Sequence, residues 1–575
     1  MKIFSFILIV ISISVFAQKN NKYDTFFEKG NGNQSANYQE TINYYSLLAN
    51  NFSTIKMQEM GFTDSGYPLH IIIFNSEKEF NFNKIEKNKT VILINNGIHA
   101  GEPDGIDATM MLFRDLALGK IKILKNSVIV AIPIYNIGGA LNRNSTTRAN
   151  QDGPEEYGFR GNGRNFDLNR DFIKSDTRNT KSFVEIFHKI NADVFIDNHV
   201  SNGADYQYKL TYIMTQHNKL GFVYGNFLNK EMMPEIIKDL NAKKIEITPY
   251  VNAFEETPDN GFAQFFDSPR YTTGYTSLFN TIGFVVETHM LKKYFERVKT
   301  TYDFMVSTID FTDKNYLKIK DLRLKNELQY QFGKKYTLKW EIDSSKVEKI
   351  EFLGFESLIK KSDVTTGNRL FYDINKLFKK MIPYYKEYKS SKEIVIPKAY
   401  LIPKSWWNVI DLLKSNNVQY SQLKNDTIIE VESYKIADYK TATNAYEGHY
   451  PHRNTKTNSK IESLKFFKGD FLFKTNQKAV KYLLETLEPE AIDSFFNWNF
   501  FDTILQQKEG FSEYVFEDLA FKILNDNPKL KSEFENKKNE DVSFSKNSEA
   551  QLDWVYKHSI YYEKAHLQYP VYRIN

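Results

Sequence analysis

The chain has 575 residues, of which 41% are hydrophobic, 26% charged and 15% aromatic, a globular composition that excludes wholly disordered, collagen-like and multi-spanning membrane proteins. Its 76 basic and 71 acidic side chains give a formal net charge of +5, which is nearly balanced for this length and predicts no nucleic-acid partner. The chain contains no cysteine, so disulfides and thiolate chemistry are excluded and any metal must be bound through His, Asp or Glu.

The N-terminal segment is typical of a secretory signal peptide. Lys2 precedes an apolar run over residues 3–16, and Val15 and Ala17 place small residues at the two positions that a signal peptidase reads. Because the apolar run is shorter than the ~20 residues of a membrane span, we expect residues 1–17 to be removed on export. The mature protein is then expected to be periplasmic or extracellular, with no stable membrane insertion.

Residues 18–330 are predicted to form an α/β domain, in which a sheet lies between helices. Runs rich in β-branched residues alternate with segments that carry apolar residues at helical spacing, and this alternation indicates strands separated by helices. The predicted strands are Leu69–Phe74, Thr90–Asn95, Ser127–Ile134, Asp193–Asp197, Leu210–Met214 and Gly283–Thr288. The predicted helices are Tyr38–Leu48, Ile106–Leu118, Thr180–Ile190 and Phe222–Leu240, followed by a long charged helical pattern over residues 292–329.

Two further regions follow, a β-rich one over residues 331–435 and a helical, aromatic-rich one over residues 436–575, so the C-terminal half is predicted to be mixed α+β. Its strand candidates are Tyr336–Ile342, Val347–Leu353, Ile394–Ile396 and Thr427–Val431, and the helical pattern covers residues 460–535. Neither an internal repeat nor a low-complexity linker separates these regions from the first domain, so we expect them to pack on it. The two histidines of the segment 446–452 indicate a polar loop in preference to a second metal site.

A histidine and a carboxylate, His99 and Glu102, follow the predicted strand Thr90–Asn95. In open α/β sheets, ligands bind at the carboxyl ends of the strands. A second apolar strand, Asp193–Asp197, leads to His199 in the same way. Two strand-end histidines and one glutamate make up the three protein ligands of a catalytic zinc site, which leaves one coordination position open for water.

Two more segments carry polar groups that suit such a site. Residues 164–172 form a cluster of charges and amides, for which an ordinary solvated loop is the alternative. The strand Gly283–Thr288 carries Glu287 near its end, where partial desolvation raises the pKa of a carboxyl group towards the range of a general base. A surface position is the alternative for this glutamate, and His289 close behind it is a rival metal ligand.

These segments, in their order along the chain, resemble the zinc carboxypeptidase family of the carboxypeptidase A type over residues 40–310. The shared pattern is His99-x-x-Glu102, then Asp167-x-Asn169-Arg170, then His199, then Glu287. The resemblance implies a mixed, mostly parallel sheet between helices. It also implies one Zn²⁺ per chain, bound by His99, Glu102 and His199.

The resemblance also implies roles for the other matched residues. Glu287 corresponds to the general base that activates water, and Asp167 to the carboxylate that orients the first zinc histidine. Asn169 and Arg170 correspond to the pair that binds the terminal carboxylate of the substrate. Arg148 occupies a position along the chain similar to that of the family's arginine that polarises the scissile carbonyl group.

The chain departs from the family at two points. It has Gly101 where digestive members carry an arginine. The mobile tyrosine that contacts substrate in the family has two candidates here, Tyr271 and Tyr275, between which the sequence does not decide. Arg270 beside them is either a further anion contact or part of a structural salt bridge.

The resemblance therefore implies a secreted metalloprotease, a zinc carboxypeptidase that hydrolyses C-terminal peptide bonds of peptides and proteins. A zinc deacylase of the aspartoacylase or desuccinylase type, acting on N-acyl amino acids, is the first alternative, because the segments around His99 and Asp167 are also similar to that branch. A murein peptide peptidase and a non-catalytic binding protein on the same scaffold are the others. The C-terminal regions are expected to shape substrate access or to stabilise the catalytic domain, and the sequence carries no indication of the oligomeric state.

Overall fold

The computed structural model describes residues 22–122, 124–254 and 256–575 of the chain. The segment 1–17, predicted to be a signal peptide, lies outside these residues. Within the described ranges, no helix is both long enough and apolar enough to cross a bilayer.

Strands and helices alternate through the first part of the chain. Its strands are β1 Ile55–Phe62, β2 Pro68–Phe74, β3 Thr90–Asn96, β4 Ser127–Ile132, β5 Val194–Ser201, β6 Leu210–Met214, β7 Ile247–Pro249, β8 Phe262–Ala263 and β9 Ile282–His289. Its helices are α1 Phe26–Lys29, α2 Tyr38–Asn51, α3 Phe82–Asn88, α4 Asp104–Ala117, α5 Ile137–Leu141, α6 Arg178–Ile190, α7 His217–Leu220, α8 Phe222–Phe227, α9 Met233–Ala242, α10 Thr272–Ser277, α11 Tyr294–Lys314 and α12 Tyr316–Glu327.

Eight of these strands form one twisted sheet in the order β1-β2-β4-β3-β5-β9-β6-β7. The central strands β4, β3, β5 and β9 run parallel, whereas β1, β2 and β6 pair antiparallel with their inner neighbours. The predicted α/β fold with a mixed, mostly parallel sheet is confirmed. All six predicted strands are present, although β5 continues four residues beyond its predicted end, to Ser201.

The central strands are fully enclosed, which explains their continuous apolar runs. Every residue of β3, β4 and β5 is buried, as expected for parallel strands that helices cover on both faces. Parallel pairing brings the carboxyl ends of β3, β5 and β9 to one edge, where Asn96 pairs with Asn198 and His199 pairs with Glu287. Polar residues therefore meet at this edge although they are far apart in the sequence.

The C-terminal half contains three smaller sheets and several helices. Its strands are β10 Lys335–Ile342, β11 Glu348–Lys361, β12 Asn368–Tyr385, β13 Tyr388–Val395, β14 Ala399–Ile402, β15 Ser421–Gln422, β16 Thr427–Thr441, β17 His452–Phe466, β18 Phe471–Lys474 and β19 Tyr572–Ile574. Its helices are α13 Trp407–Ser415, α14 Val480–Leu487, α15 Glu513–Asp526, α16 Pro528–Glu540, α17 Val542–Ser545 and α18 Ser548–Lys557. The largest of its sheets has six strands in the order β15-β18-β14-β19-β16-β17.

The predicted division at residue 435 falls inside β16, and the first part of the stretch predicted to be helical, residues 460–474, contains strand instead. The reason is that β16 and β17 form a long hairpin with much of both faces in solvent, so their sequences lack the apolar alternation of a half-buried strand. The helical, aromatic-rich part begins only with α14.

One hydrophobic core joins the eight-stranded sheet to the C-terminal half. The cluster that contains β3, β4 and β5 also includes Tyr482 of α14 and the buried side chains of Phe495 and Trp498. The ring of Tyr482 lies 5.5 Å from that of Phe279, which follows α10. The C-terminal half is therefore packed against the first part of the chain.

Candidate active site

Three potential metal ligands come together beyond the carboxyl ends of β3 and β5. After β3 the chain turns at Gly97, whose φ of +63° lies in the left-handed region, and this turn carries His99 and Glu102 back over the sheet edge. His199 is the sixth residue of β5. One ligand atom from each of these three side chains lies within 4.8 Å of the others, and all three residues are at most 3% exposed.

The hydrogen bonds of the two histidines leave the same ring atom of each for a metal. His99 Nε2 lies 3.0 Å from Oδ1 of Asp167, and His199 Nε2 lies 2.9 Å from Oδ2 of Asp197. A carboxylate next to Nε2 keeps the imidazole proton on that nitrogen and leaves the lone pair of Nδ1 free to coordinate a metal. The Nδ1 atoms lie 3.2 Å and 3.3 Å from the two carboxylate oxygens of Glu102.

Two nitrogen donors and one carboxylate are one of the ligand sets of catalytic zinc, so these residues fit a zinc ion. In the part of the chain that the structure describes, no other group of three histidine or acidic side chains brings its ligand atoms this close. His289, the rival ligand, is buried outside the group, with Nε2 lying 3.0 Å from the carbonyl oxygen of Ala204. The histidines of the 446–452 segment pair with Asp176 and Asp502.

The carboxyl groups of the site have strongly shifted pKa values. Burial opposes ionisation of Glu102, but the charges of His99 and Arg148 hold its pKa well below the ordinary value. Glu287 faces the same cluster from β9, and burial raises its pKa to about 7, with the charge of His199 opposing this shift. The two glutamates are therefore suited to different tasks, since Glu102 stays ionised whereas Glu287 can exchange a proton near neutral pH.

The segment 164–172 forms the second wall of the site. Asp167 accepts hydrogen bonds at Oδ1 from Nε2 of His99 at 3.0 Å and from the backbone N–H of Asn169 at 2.9 Å. Burial opposes its ionisation, but His99, Arg160 and Arg170 lower its pKa. The guanidinium group of Arg170 lies 4.6 Å from the ring centre of Tyr271. This segment is not a free surface loop. Asn169 and Arg170, together with Tyr271, line the same cavity as the potential metal ligands.

Most of these groups line one cavity of 530 Å³. Its wall includes the three potential metal ligands, Glu287, Asn169 and Arg170, together with apolar side chains such as Ile213 and Val285. A cavity that joins a metal site, a base and a fixed cation has the elements of a hydrolytic site for an anionic substrate.

Proteins similar to this chain include carboxypeptidases. Carboxypeptidase 2 of Trichophyton rubrum is 22% identical over 471 residues, covering 78% of this chain and 81% of that protein. Carboxypeptidase 2 of Trichophyton tonsurans is 23% identical over 449 residues, covering 74% and 76%. The zinc carboxypeptidase family profile matches residues 41–213, which contain the first six motif positions but not Glu287. Residues 41–213 therefore carry a zinc carboxypeptidase domain.

Solved structures of metallocarboxypeptidases are similar to part of this chain. A metallo-carboxypeptidase from Burkholderia cenocepacia is 12% identical, with a TM-score of 0.36, and the match covers 49% of this chain and 70% of that one. Carboxypeptidase A from Helicoverpa armigera is 13% identical, with a TM-score of 0.36, covering 51% and 74%.

Two arginines approach the group formed by the three potential metal ligands. Arg148, the predicted carbonyl-polarising residue, places Nη1 3.0 Å from Oε1 of Glu102. A Cβ atom at Gly101 would lie 2.8 Å from Cδ of Arg148, so the departure from the family at this position makes room for that side chain. The second arginine, Arg160, was not predicted; its Nη1 lies 3.3 Å from Nδ1 of His99, and its Nε and Nη2 donate to Oδ2 of Asp167.

The structure separates the two tyrosines that the sequence left equivalent. Tyr271 lines the cavity, whereas Tyr275 is fully buried and its hydroxyl donates to Asn416 at 2.6 Å within an aromatic cluster of the core. The prediction that Tyr275 contacts substrate is therefore wrong, because its side chain is enclosed in this cluster and has no surface open to the cavity. Arg270 forms a salt bridge with Asp493 at 2.7 Å and is not an open anion contact.

Sequence reasoning missed three residues that contact the predicted site. Asp197 precedes His199 by two positions, and an acidic residue inside an apolar strand is the signal that could have identified it. Arg160 lies between glycines in the segment Gly158–Gly161, a weak signal. Glu447 accepts a hydrogen bond of 2.9 Å from the backbone N–H of Asp167, a contact that no local pattern indicates.

Proposed function

We propose that this enzyme hydrolyses the C-terminal peptide bond of peptides and proteins with the help of one zinc ion. The observation that carries the proposal is that Asn169 and Arg170 line the same cavity as the metal ligands and Glu287. A guanidinium group beside an amide suits a terminal carboxylate, which Arg binds in a bidentate manner. Recognition of that carboxylate would restrict cleavage to the end of a chain.

The ligand residues His99, Glu102 and His199 would hold the zinc, with Asp167 and Asp197 fixing the protonated nitrogen of each imidazole. A zinc ion bound there supplies Lewis acidity, which polarises a carbonyl group and lowers the pKa of water.

Glu287 would take the proton from the attacking water and deliver it to the departing amine, a task for which its raised pKa is suited. The guanidinium groups of Arg148 and Arg160 lie next to Glu102 and His99, where positive charge stabilises an oxygen that becomes negative during the reaction. Arg170 would bind the substrate carboxylate, and Tyr271 would support it through the contact between its ring and the guanidinium group.

The enzyme is further proposed to act after export, which the sequence of residues 1–17 supports. Comparison of N-terminal sequences of the protein from the cytoplasm and from the medium or periplasm tests this part. Loss of residues 1–17 is expected only in the exported protein.

The decisive assay measures amino-acid release from peptides with free C-termini and from the same peptides with C-terminal amides. We expect rapid release from the free peptides and at least ~10-fold slower cleavage of the amides, because an amide cannot replace the carboxylate on Arg170. Equal cleavage of both sets would contradict the proposal. N-acyl amino acids and murein peptides are included, because preferential hydrolysis of either would assign the site to the corresponding alternative.

A further inference from the structure

One wall of the cavity is polar but is formed by residues other than the predicted catalytic groups. Asp267, Thr272 and Thr273 line this wall and are at most 1% exposed. Neighbouring parts of the lining, Ile213 and Val285, are apolar. The wall therefore combines buried polar groups with apolar surface, as pockets that recognise a particular side chain do.

This wall adjoins the residues proposed to bind the substrate carboxylate. The backbone N–H of Thr272 donates to Oδ1 of Asn169 at 3.2 Å, and the ring of Tyr271 lies under the guanidinium group of Arg170. A C-terminal residue held by Asn169 and Arg170 has its side chain within a few bonds of its carboxylate. Its side chain would therefore reach the neighbouring wall.

Three side-chain oxygens of this wall lack hydrogen-bond partners among the residues that the structure describes. They are Oδ2 of Asp267, Oγ1 of Thr272 and Oγ1 of Thr273. An unpaired polar atom in a buried position is unfavourable, and native proteins have few of them. Three on one cavity wall indicate that a ligand supplies the missing partners.

The charge of Asp267 is already balanced. Its Oδ1 lies 2.9 Å from Nζ of Lys219, which also contacts the Asp267 carbonyl oxygen, and it accepts the backbone N–H of Gln216 at 3.3 Å. A cationic side chain in the pocket would meet the ammonium group of Lys219, and an anionic one would meet the carboxylate of Asp267. The pair therefore favours a side chain without a net charge.

We propose that this wall selects substrates whose C-terminal residue has a neutral, hydrogen-bonding side chain, with the carboxamides Asn and Gln as the preferred class. The amide NH₂ group would donate to Oδ2 of Asp267, and the amide oxygen would accept from the hydroxyl groups of Thr272 and Thr273. The methylene groups would contact Ile213 and Val285. This inference rests on the proposed carboxypeptidase function, since it assumes that the terminal carboxylate is bound by Asn169 and Arg170.

The test compares kcat/KM for peptides that differ only in the last residue, which is Asn, Leu, Asp, Gln or Lys. Asn and Leu have nearly the same size and shape, so their ratio isolates the hydrogen bonds. We expect Asn over Leu by about 10-fold or more, because Leu would leave three buried oxygens unpaired after displacing water. Asp and Lys are expected to be poorer than Asn and Gln.

Variants locate the effect on this wall. Thr272→Val and Thr273→Val remove one hydroxyl group each at nearly constant volume, and each is expected to lower the Asn-to-Leu ratio by about 5-fold. Ser277→Ala is the matched control on the same helix, since the Ser277 hydroxyl already donates to the Gly274 carbonyl oxygen at 2.7 Å and should not affect the ratio.

Each outcome bears on one claim. Release of Leu as fast as Asn by the unmodified enzyme would overturn the specificity inference and leave the carboxypeptidase function intact. A preference for Lys or Asp would likewise overturn it. No release from any of the peptides would overturn the proposed function, and the inference with it.

Discussion

The eight-stranded sheet and the C-terminal sheets differ in where their polar side chains lie. The first buries polar groups at one edge, whereas the others expose them to solvent. At the edge of the eight-stranded sheet where β3, β5 and β9 end, Asn96, Asp197, Asn198 and His199 are at most 3% exposed. In the hairpin of β16 and β17, charged residues point mainly into solvent. Burying polar groups is unfavourable unless they are paired, so their presence at the first edge marks where ligands bind.

The C-terminal half instead reaches the site through connecting segments. Glu447, in the connection between β16 and β17, bonds to the backbone of Asp167, and His449 pairs with Asp176 at 2.8 Å. Asp493, after α14, pairs with Arg270. The comparison teaches that the first region supplies the chemical groups, whereas the second contacts the loops that carry them.

The largest expected effect is the loss of a metal ligand. His199→Ala removes a nitrogen donor, so zinc content should fall from one ion per chain to near zero. Loss of several kcal/mol of electrostatic stabilisation should lower kcat/KM by at least about 10³-fold. Metal analysis by mass spectrometry, with His558→Ala as a control at an exposed position, checks this. Full activity without stoichiometric metal would contradict the site assignment.

The next effect tests Glu287 as the base. Glu287→Gln keeps the shape of the side chain and removes its ability to accept the proton, so kcat should fall by about 10²–10⁴-fold. Zinc content should be unchanged because this residue is not among the proposed ligands. A variant with bound zinc and normal kcat would exclude Glu287 from this role.

A smaller effect is expected from the carboxylates behind the histidines. Asp197→Asn and Asp167→Asn should each weaken zinc binding or activity by about 10- to 100-fold, since partners of this type orient the ligand and raise its basicity. Competition with a chelator measures the affinity. Asp426→Asn, in the connection between β15 and β16, serves as a control that should leave zinc affinity unchanged.

The smallest effect would show how far the C-terminal half takes part in the reaction. Glu447→Ala removes the acceptor for the backbone N–H of Asp167. Loss of about 1 kcal/mol of transition-state stabilisation should reduce kcat/KM about 5-fold. Glu447→Gln keeps an acceptor oxygen and should restore most of the activity. Equal activity of both variants and the parent would show that this contact has no part in positioning Asp167.

The fold of the first region was predictable because enclosed parallel strands have continuous apolar sequences, as β3 and β5 do. The ligand trio was predictable because strand ends are where such sheets bind ligands. The hairpins β11–β12 and β16–β17 were largely missed, since solvent-facing strands such as these need no apolar alternation.

The rest of the site depends on contacts between distant segments. Tyr271 and Tyr275 differ by one helical turn, and only packing shows that one lines the cavity and the other fills the core. Arg160 and Glu447 reach the site across 61 and 280 residues, so no local spacing identifies them.

His99 and His199 lie close together at the ends of adjacent strands, and this arrangement links metal binding to the stability of the whole chain. The unfolded chain cannot present these side chains together, so zinc would bind the native state selectively, and each tenfold rise in its concentration above the dissociation constant would add about 1.4 kcal/mol of stability. The chain has no cysteine with which to form a disulfide. A bound zinc would act as a reversible cross-link between β3 and β5, and its removal should lower the melting temperature as well as the rate.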